Sequence, residues 1–348
     1  MNRNIESEFS RKLDLKHPLI VAPMAGGPSS VELVAETSIA GALGSIGAAY
    51  SQPAAIEEFA AKVRQRTDCP FAVNLFVPHP TPRVTARQIE HAIAQTAPYR
   101  SELGLPTPEF TEPYEGDFDA QFDAVLRIRP AAFSFVFGLL PPDYVRAARK
   151  EKIVLIGTAT TPEEAAALED SGADAVVLQG IEAGGHRGIF DAGGVDEEIN
   201  AFDLLKASRV KVRIPLIAAG GIMTSSDVRR ALQAGAQAVQ MGTAFLVCEE
   251  AGTSAPYKQK LLDAAGRTTK TTRVFSGRLA RGIENRFMHE METRASAILP
   301  FPAQNKFTRD MRGASAAKGS ADFLSLWSGT GQGDLWRGPA RELIARLC

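Results

Sequence analysis

The sequence predicts an α/β fold: a (β/α)8 TIM barrel with a smaller, mainly helical substrate or lid domain. Three observations carry that prediction. Eight short apolar runs alternate with longer helical patterns along the 348 residues. The runs are continuously apolar, as in parallel strands buried on both faces. One helix–strand unit also occurs twice: TTPEEAAALEDSGADAVVLQG (160–180) returns as MTSSDVRRALQAGAQAVQMGT (223–243), 63 residues later.

Each element has its own local reason. The first run, HPLIVAPM (17–24), leads into PMAGGPSS. That turn lacks the GxGxxG of an open dinucleotide-binding sheet, which favours the closed barrel. Ser29-Ser30-Val31-Glu32 reads as a capping box opening a helix. GALGSIGAA (41–49) and PFAVNLF (70–76) follow, and a stretch rich in proline and acid, 77–129, delays AAFSFVFG (131–138). After KIVLIGTA (152–159), Thr161-Pro162-Glu163-Glu164 reads as a second capping box, with Pro162 at the first helical position. ADAVVLQG (173–180), IPLIAAGG (214–221) and QAVQMGTAF (237–245) complete the set. Gly172 and Gly235 stand just past helix ends, where a left-handed residue is needed. The barrel is assigned to residues 1–77, 129–249 and about 315–348. Segments 78–128 and 250–314 are assigned to the lid.

Composition narrows the function classes. Hydrophobic residues at 45% and charged residues at 23% suit a globular chain with a real core. A net charge of −1 offers no basic field for nucleic acid or an anionic membrane. No run approaches eighteen consecutive apolar residues, so no membrane span is expected. The N-terminus, MNRNIESEFS, lacks the apolar core of a signal peptide. Cys69, Cys248 and Cys348 cannot all pair and form no CxxC, which points to reduced thiols and a cytoplasmic location.

In a parallel barrel the chemistry sits at the C-terminal strand ends. Those ends supply Met24, Ala25 and Gly26; Asn74; Gln179; Gly184, Gly185 and His186; Ala219, Gly220 and Gly221; and Gly242 and Thr243. No lysine appears there, which disfavours a Schiff-base enzyme. No His/Asp/Glu cluster appears, so no metal is expected. The AAGGI and MGTAF turns follow the last two strands, the usual phosphate corner of this fold, and can offer backbone N–H groups to an anion. Asn74 and Gln179 can donate and accept in one plane, which suits the uracil-like edge of a flavin. Of five histidines, only His186 sits on a glycine loop at a strand's C-terminal end. It is the candidate catalytic residue, able to take a proton, give one or pair with an anion. His17, His79, His91 and His289 read as structural or solvated residues.

Seven motifs in order, APMAGG, NLF, QGIEAGGHRG, AAGGI, MGTAF, SGRLARGIENRF and LWSGTGQ, resemble the nitronate monooxygenases, formerly called 2-nitropropane dioxygenases. The resemblance spans residues 15 to 335, nearly the whole chain. It implies an FMN-dependent barrel that oxidises alkyl nitronates, typified by toxic propionate 3-nitronate, with molecular oxygen to a carbonyl compound and nitrite. It implies that Met24, Asn74, Gln179, the glycines of the 184–185, 220–221 and 242 turns, and Thr243 hold FMN, and that His186 is catalytic; Ala25, Gly26 and Ala219, read from the strand ends themselves, are expected to bring backbone to the same cofactor. The SGRLARG segment and Gln332 would close over the flavin, although WSGTGQ is two residues longer than the family's W-x-G-Q. Small-molecule partners and a monomer or homodimer are expected. The GGH element is shared with NAD(P)H-dependent FMN reductases of the same fold, acting on enoyl thioesters or quinones, which form the alternative. A phosphate-binding barrel without flavin, an isomerase or a non-catalytic binder, is the third reading.

Overall fold

A computed structural model describes residues 7–80, 82–263 and 268–348. The first six residues of the polar N-terminus, residue 81 and residues 264–267 of the segments assigned to the lid lie outside the described residues.

Eleven strands are described: β1 (Leu19–Val21), β2 (Gly44–Gly47), β3 (Phe71–Phe76), β4 (Ala132–Val136), β5 (Val154–Ala159), β6 (Ala175–Gln179), β7 (Gly185–His186), β8 (Leu216–Ala219), β9 (Ala238–Met241), β10 (Thr269–Thr272) and β11 (Ala280–Ile283). Eight of them, one in each apolar run, form a parallel sheet in the order β1-β9-β8-β6-β5-β4-β3-β2. Its two ends meet at a parallel bridge between Ile20 and Leu43. There the Val21 N–H donates to Leu43 O at 3.0 Å and the Leu43 N–H to Leu19 O at 2.9 Å. The eight strands and the helices between them make a (β/α)8 barrel.

Strand parity then decides what faces the barrel axis, because successive side chains alternate between faces. Ala72, Ala132, Ile156, Ala175, Val177, Ile217 and Ala238 form one interior cluster. Val73, Leu75, Phe133, Leu155, Val176, Leu178 and Val239 form another with the surrounding helices. With both faces covered, these strands read as unbroken apolar runs. A short helix, Glu8–Lys12, places Phe9 in the interior cluster, and the Phe9 N–H donates to Gln237 Oε1 at 3.1 Å. Helix Glu8–Lys12 therefore closes the end of the barrel away from the strand C-termini.

Two helix starts differ from the predicted boxes. The first helix after β1, Val31–Ile39, is capped by Ser30, which accepts from the Leu33 N–H, while Glu32 pairs with Arg66. Pro162–Ser171 is capped by Thr161, but Glu164 reaches back one residue further, to the Thr160 N–H at 2.7 Å and hydroxyl at 2.8 Å. Gly172 and Gly235 take the left-handed conformation at φ 98° and 102°.

The flanking segments distribute their packing differently from the assignment above. Helix Phe118–Ile128, counted there with the lid, sends Phe122, Val125 and Ile128 into the barrel's outer core. Conversely Phe323 and Leu326, counted with the barrel, pack with Tyr99 and Phe287 and with Ile283 respectively. Helix Ala340–Leu347 returns to the barrel core through Leu343, Ile344 and Leu347. The covering layer is not helical alone: β10, β11 and β7 form a three-stranded antiparallel sheet. Among the described residues, no helix is long and apolar enough to cross a membrane.

Candidate functional site

The barrel's C-terminal mouth opens into a cavity of about 620 Å³. Parity brings Asn74, Thr158, Gln179 and Gln240 to its floor, each two residues beyond an inward apolar residue of its strand. Asn74 Nδ2 donates to Ser134 O at 3.1 Å and to Ser134 Oγ at 2.9 Å, across the Asn74–Ser134 register pair. Among the described residues its Oδ1 has no hydrogen-bond partner.

Gln179 is committed more deeply to the protein than its expected flavin contact implies. Its Nε2 donates to His186 O at 2.9 Å. Its Oε1 accepts from Arg187 Nη1 and from the Gly188 N–H, both at 2.8 Å. Arg187 is fully buried, donating through Nε to Asp196 Oδ2 at 2.5 Å and through Nη1 to Gly180 O at 2.7 Å. This pair and Gln179 lock the 180–188 loop onto the end of β6. Gln179 thus acts first as the loop's organiser, with one Nε2 proton left over.

The loop presents His186 on β7, held by β11 through the Ala280–His186 pairing. His186 lines the cavity, ringed by Phe76, Phe137, Phe301 and Trp327 at centroid distances of 6.1, 6.0, 6.3 and 5.5 Å. Its Nε2 lies 2.9 Å from Ser276 Oγ. Ser276 Oγ donates to Arg278 O at 3.0 Å and accepts from the Arg278 N–H at 3.2 Å. That leaves the hydroxyl oxygen one lone pair, so Nε2 carries the ring proton and Nδ1 is the free acceptor. Ser276 lies inside the SGRLARG motif, yet the sequence offered no signal that it meets His186.

His186 lies deep beneath the molecular surface although it touches the cavity. Burial, reinforced by the Arg278 and Arg312 guanidinium groups, pushes its pKa down to about 3. The imidazole is therefore neutral across the physiological range. Arg278 is itself buried, its Cζ 3.7 Å from the Phe137 ring centre, and it donates to Ile189 O. His79 packs between Phe137 and Phe301.

The opposite wall is backbone. The N–H groups of Gly220, Gly221 and Gly242 donate to no protein acceptor among the described residues. Gly220 and Gly221 are left-handed at φ 112° and 70°. Met24 and Ala25 belong to the first turn: the Met24 N–H donates to Ser29 Oγ at 3.0 Å, and both residues line the cavity. Gly26 and Gly185 are also left-handed, at φ 85° and 80°, and a β-carbon on either would meet nothing within 4 Å. They leave open space. Gly184 does not: its β-carbon would stand 2.6 Å from Gly329 N. It is a glycine because the 328–331 strap docks there. The Gly329 N–H donates to Thr243 Oγ1 at 3.0 Å and the Thr330 N–H to Glu182 O at 2.9 Å. Ala219 completes the interior face below these turns. Gln332 is not brought to the site: it is exposed, absent from the cavity wall, and donates to Thr330 O at 3.1 Å. The strap docks through Gly329 and Thr330, and Gln332 lies beyond those contacts. Tyr50, Arg309 and Arg312, which the sequence did not mark, do line the cavity.

Comparison with known proteins gives the family. The family described as nitronate monooxygenase matches residues 7–348. A probable nitronate monooxygenase of Bacillus subtilis is 38% identical over 345 residues, 98% of each chain. The nitronate monooxygenase of Pseudomonas aeruginosa is 39% identical over 343 residues, 97% of each chain. Among solved structures, a nitroalkane oxidase from Streptomyces ansochromogenes superposes with a TM-score of 0.89 at 35% identity, covering 97% of this chain and 96% of its own. FabK from Thermotoga maritima superposes at 0.75 with 26% identity, covering 100% and 95%. Full-length matches at this identity, on a barrel whose mouth carries the glycine turns and a histidine, show that the chain belongs to the nitronate monooxygenase family of oxidoreductases.

Proposed function

We propose that this protein binds FMN in the barrel mouth and oxidises alkyl nitronates of the propionate 3-nitronate type with molecular oxygen. Two nitronates and one O2 balance two carbonyl products and two nitrite ions. The observation that carries the reading is His186, a neutral imidazole with its tautomer held by Ser276, opening onto a cavity that ends in unpaired backbone donors.

The residues present fit a flavin mononucleotide. Gly220, Gly221 and Gly242 offer N–H groups without protein acceptors, as a phosphate requires. Gly26 and Gly185 leave flat, open approaches for a ring system. Asn74 Oδ1 and the spare Gln179 proton offer one acceptor and one donor at the floor. Bound there, FMN supplies the electron-transfer chemistry.

The chain's own part follows from His186. Nδ1 carries the lone pair, and when a preformed nitronate enters, its negative charge opposes the burial and the arginines that hold the ring neutral, favouring an imidazolium that pairs with the anion. The aromatic ring of Phe76, Phe137, Phe301 and Trp327 keeps water from the reacting carbon.

The test is anaerobic mixing of the yellow protein with propionate 3-nitronate in one cell and with NADH or NADPH in another, following flavin absorbance. Bleaching by nitronate alone is the expected result. Bleaching by nicotinamide alone would overturn the reading in favour of the FMN reductases. A colourless protein that gains no flavin would overturn it in favour of a phosphate-binding barrel.

A further inference from the structure

The cavity has a second charged end, whose Arg312 also helps to hold His186 neutral. Tyr50 follows β2, and Glu182 follows β6, so the two stand on opposite sides of an eight-stranded mouth. Glu182 is the one carboxylate lining the cavity among the described residues, and it is occupied by the Ala201 N–H at 3.0 Å. On the Tyr50 side two guanidinium groups line the cavity, Arg309 and Arg312, three residues apart on helix Arg309–Ala317 and hence on one face of it.

Neither has an acidic partner among the described residues. Asp310, between them in sequence, is taken by the buried Arg100. Arg312 is steered by Asn305, donating through Nη2 to its carbonyl at 2.8 Å and to its Oδ1 at 2.9 Å. Arg309 makes no hydrogen bond or ion pair among the described residues, and its Cζ stands 5.5 Å from the Tyr50 ring centre. Phe76 joins this end to the reacting end, its ring 5.6 Å from Tyr50 and 6.1 Å from His186. Two unneutralised cations beside a phenol, reached along an apolar wall, are a receptor for an anion carried on a short chain.

We propose that Arg309 and Arg312, with Tyr50, form an anion clamp that decides specificity by gripping a carboxylate at the far end of the nitronate substrate. The inference rests on the nitronate-oxidation reading and adds the residues that choose among nitronates. The lid helix supplies the clamp and the loop after β6 supplies His186, so an acid-tailed substrate bridges the two.

The test compares kcat/KM for propionate 3-nitronate with that for butyl-1-nitronate, a similar chain with an uncharged end. Wild type is expected to prefer the acid-tailed substrate, with the preference weakening as salt is raised. Arg309→Met should cut the ratio of the two values about tenfold, with most of the loss in KM for the acid-tailed substrate. Arg312→Met should cut it at least as much. If Arg312→Met fails to fold, Arg309→Met, at an exposed side chain, decides alone. A wild type without preference, or a ratio unchanged in Arg309→Met, overturns the clamp. If wild type oxidises neither nitronate, the reading of the reaction fails. Calorimetric binding of 3-nitropropionate against 1-nitrobutane, to wild type and to Arg309→Met, then judges the clamp separately: selective weakening of the acid supports it, and equal binding overturns it.

Discussion

The two sides of the barrel mouth are built from different materials. On the β6, β8 and β9 side, recognition is backbone: left-handed glycines, unpaired N–H groups and a strap seated against them. On the β2 and β3 side it is side chains: Tyr50, Phe76 and two arginines delivered by a helix more than two hundred residues further along the chain. A backbone site tolerates little change because its atoms cannot be replaced, only obstructed. A side-chain site can be retuned one residue at a time. His186 stands between them, on a loop fastened by Gln179, Arg187 and Asp196.

The largest way to break this arrangement is to unfasten the loop. Arg187→Met leaves Asp196 buried without its cation and should destabilise the protein by about 3–5 kcal/mol, read as a lowered midpoint in urea. The double variant Arg187→Met with Asp196→Leu should recover much of that loss. A single variant as stable as wild type would show that the loop does not depend on the pair.

His186→Asn removes the reacting group while leaving the backbone side intact. Nitronate turnover should fall by about 10²–10⁴-fold with FMN still bound, measured by oxygen uptake and by flavin content after gel filtration. Unchanged turnover would remove His186 from the mechanism.

The glycines separate the two materials more finely. Gly184→Ala puts a β-carbon against the Gly329 backbone and should cost about 1–3 kcal/mol, because strap or loop must shift. Gly26→Ala meets open space, so its penalty is only the left-handed conformation, about 1–2 kcal/mol, together with loss of flavin affinity if the ring lies there. Equal effects on stability and flavin content would erase the distinction between docking and approach glycines.

Acid tests the burial of His186. Its folded pKa, about 3, lies below the ordinary histidine value of 6.5, so the unfolded chain binds more protons between those values. Stability then rises with pH across that window and is lost as pH falls through it. Relative to wild type, His186→Asn should lose less stability between pH 7.5 and pH 5. Parallel pH profiles would mean that the ring is hydrated in solution. Smallest of all, Gln332→Ala should change stability by no more than about 0.5 kcal/mol and leave flavin content as it is, since the side chain is exposed and outside the cavity.

Much of this molecule was legible in order of residues. Continuous apolar runs place eight parallel strands because burial on both faces leaves no room for polar alternation, and the glycine turns at their ends mark the backbone side of the mouth. Parity within PFAVNLF and ADAVVLQG already sends Asn74 and Gln179 inward. These are local properties, set by the two-residue period of a strand and the freedom of glycine at positive φ. What a side chain does with its polar atoms is set by neighbours distant in sequence. Ser276 meets His186 across 90 residues, Gly329 meets Thr243 across 86, and Tyr50 faces Arg309 and Arg312 only because the lid folds back over the barrel. Periodicity and spacing determined the scaffold and the glycine turns. The tertiary structure decided the tautomer and charge of the histidine, the true partners of Gln179, the outward path of Gln332 and the cationic end of the cavity, because burial and long-range contact, not local pattern, fix the cost of a charge and the choice of a hydrogen bond.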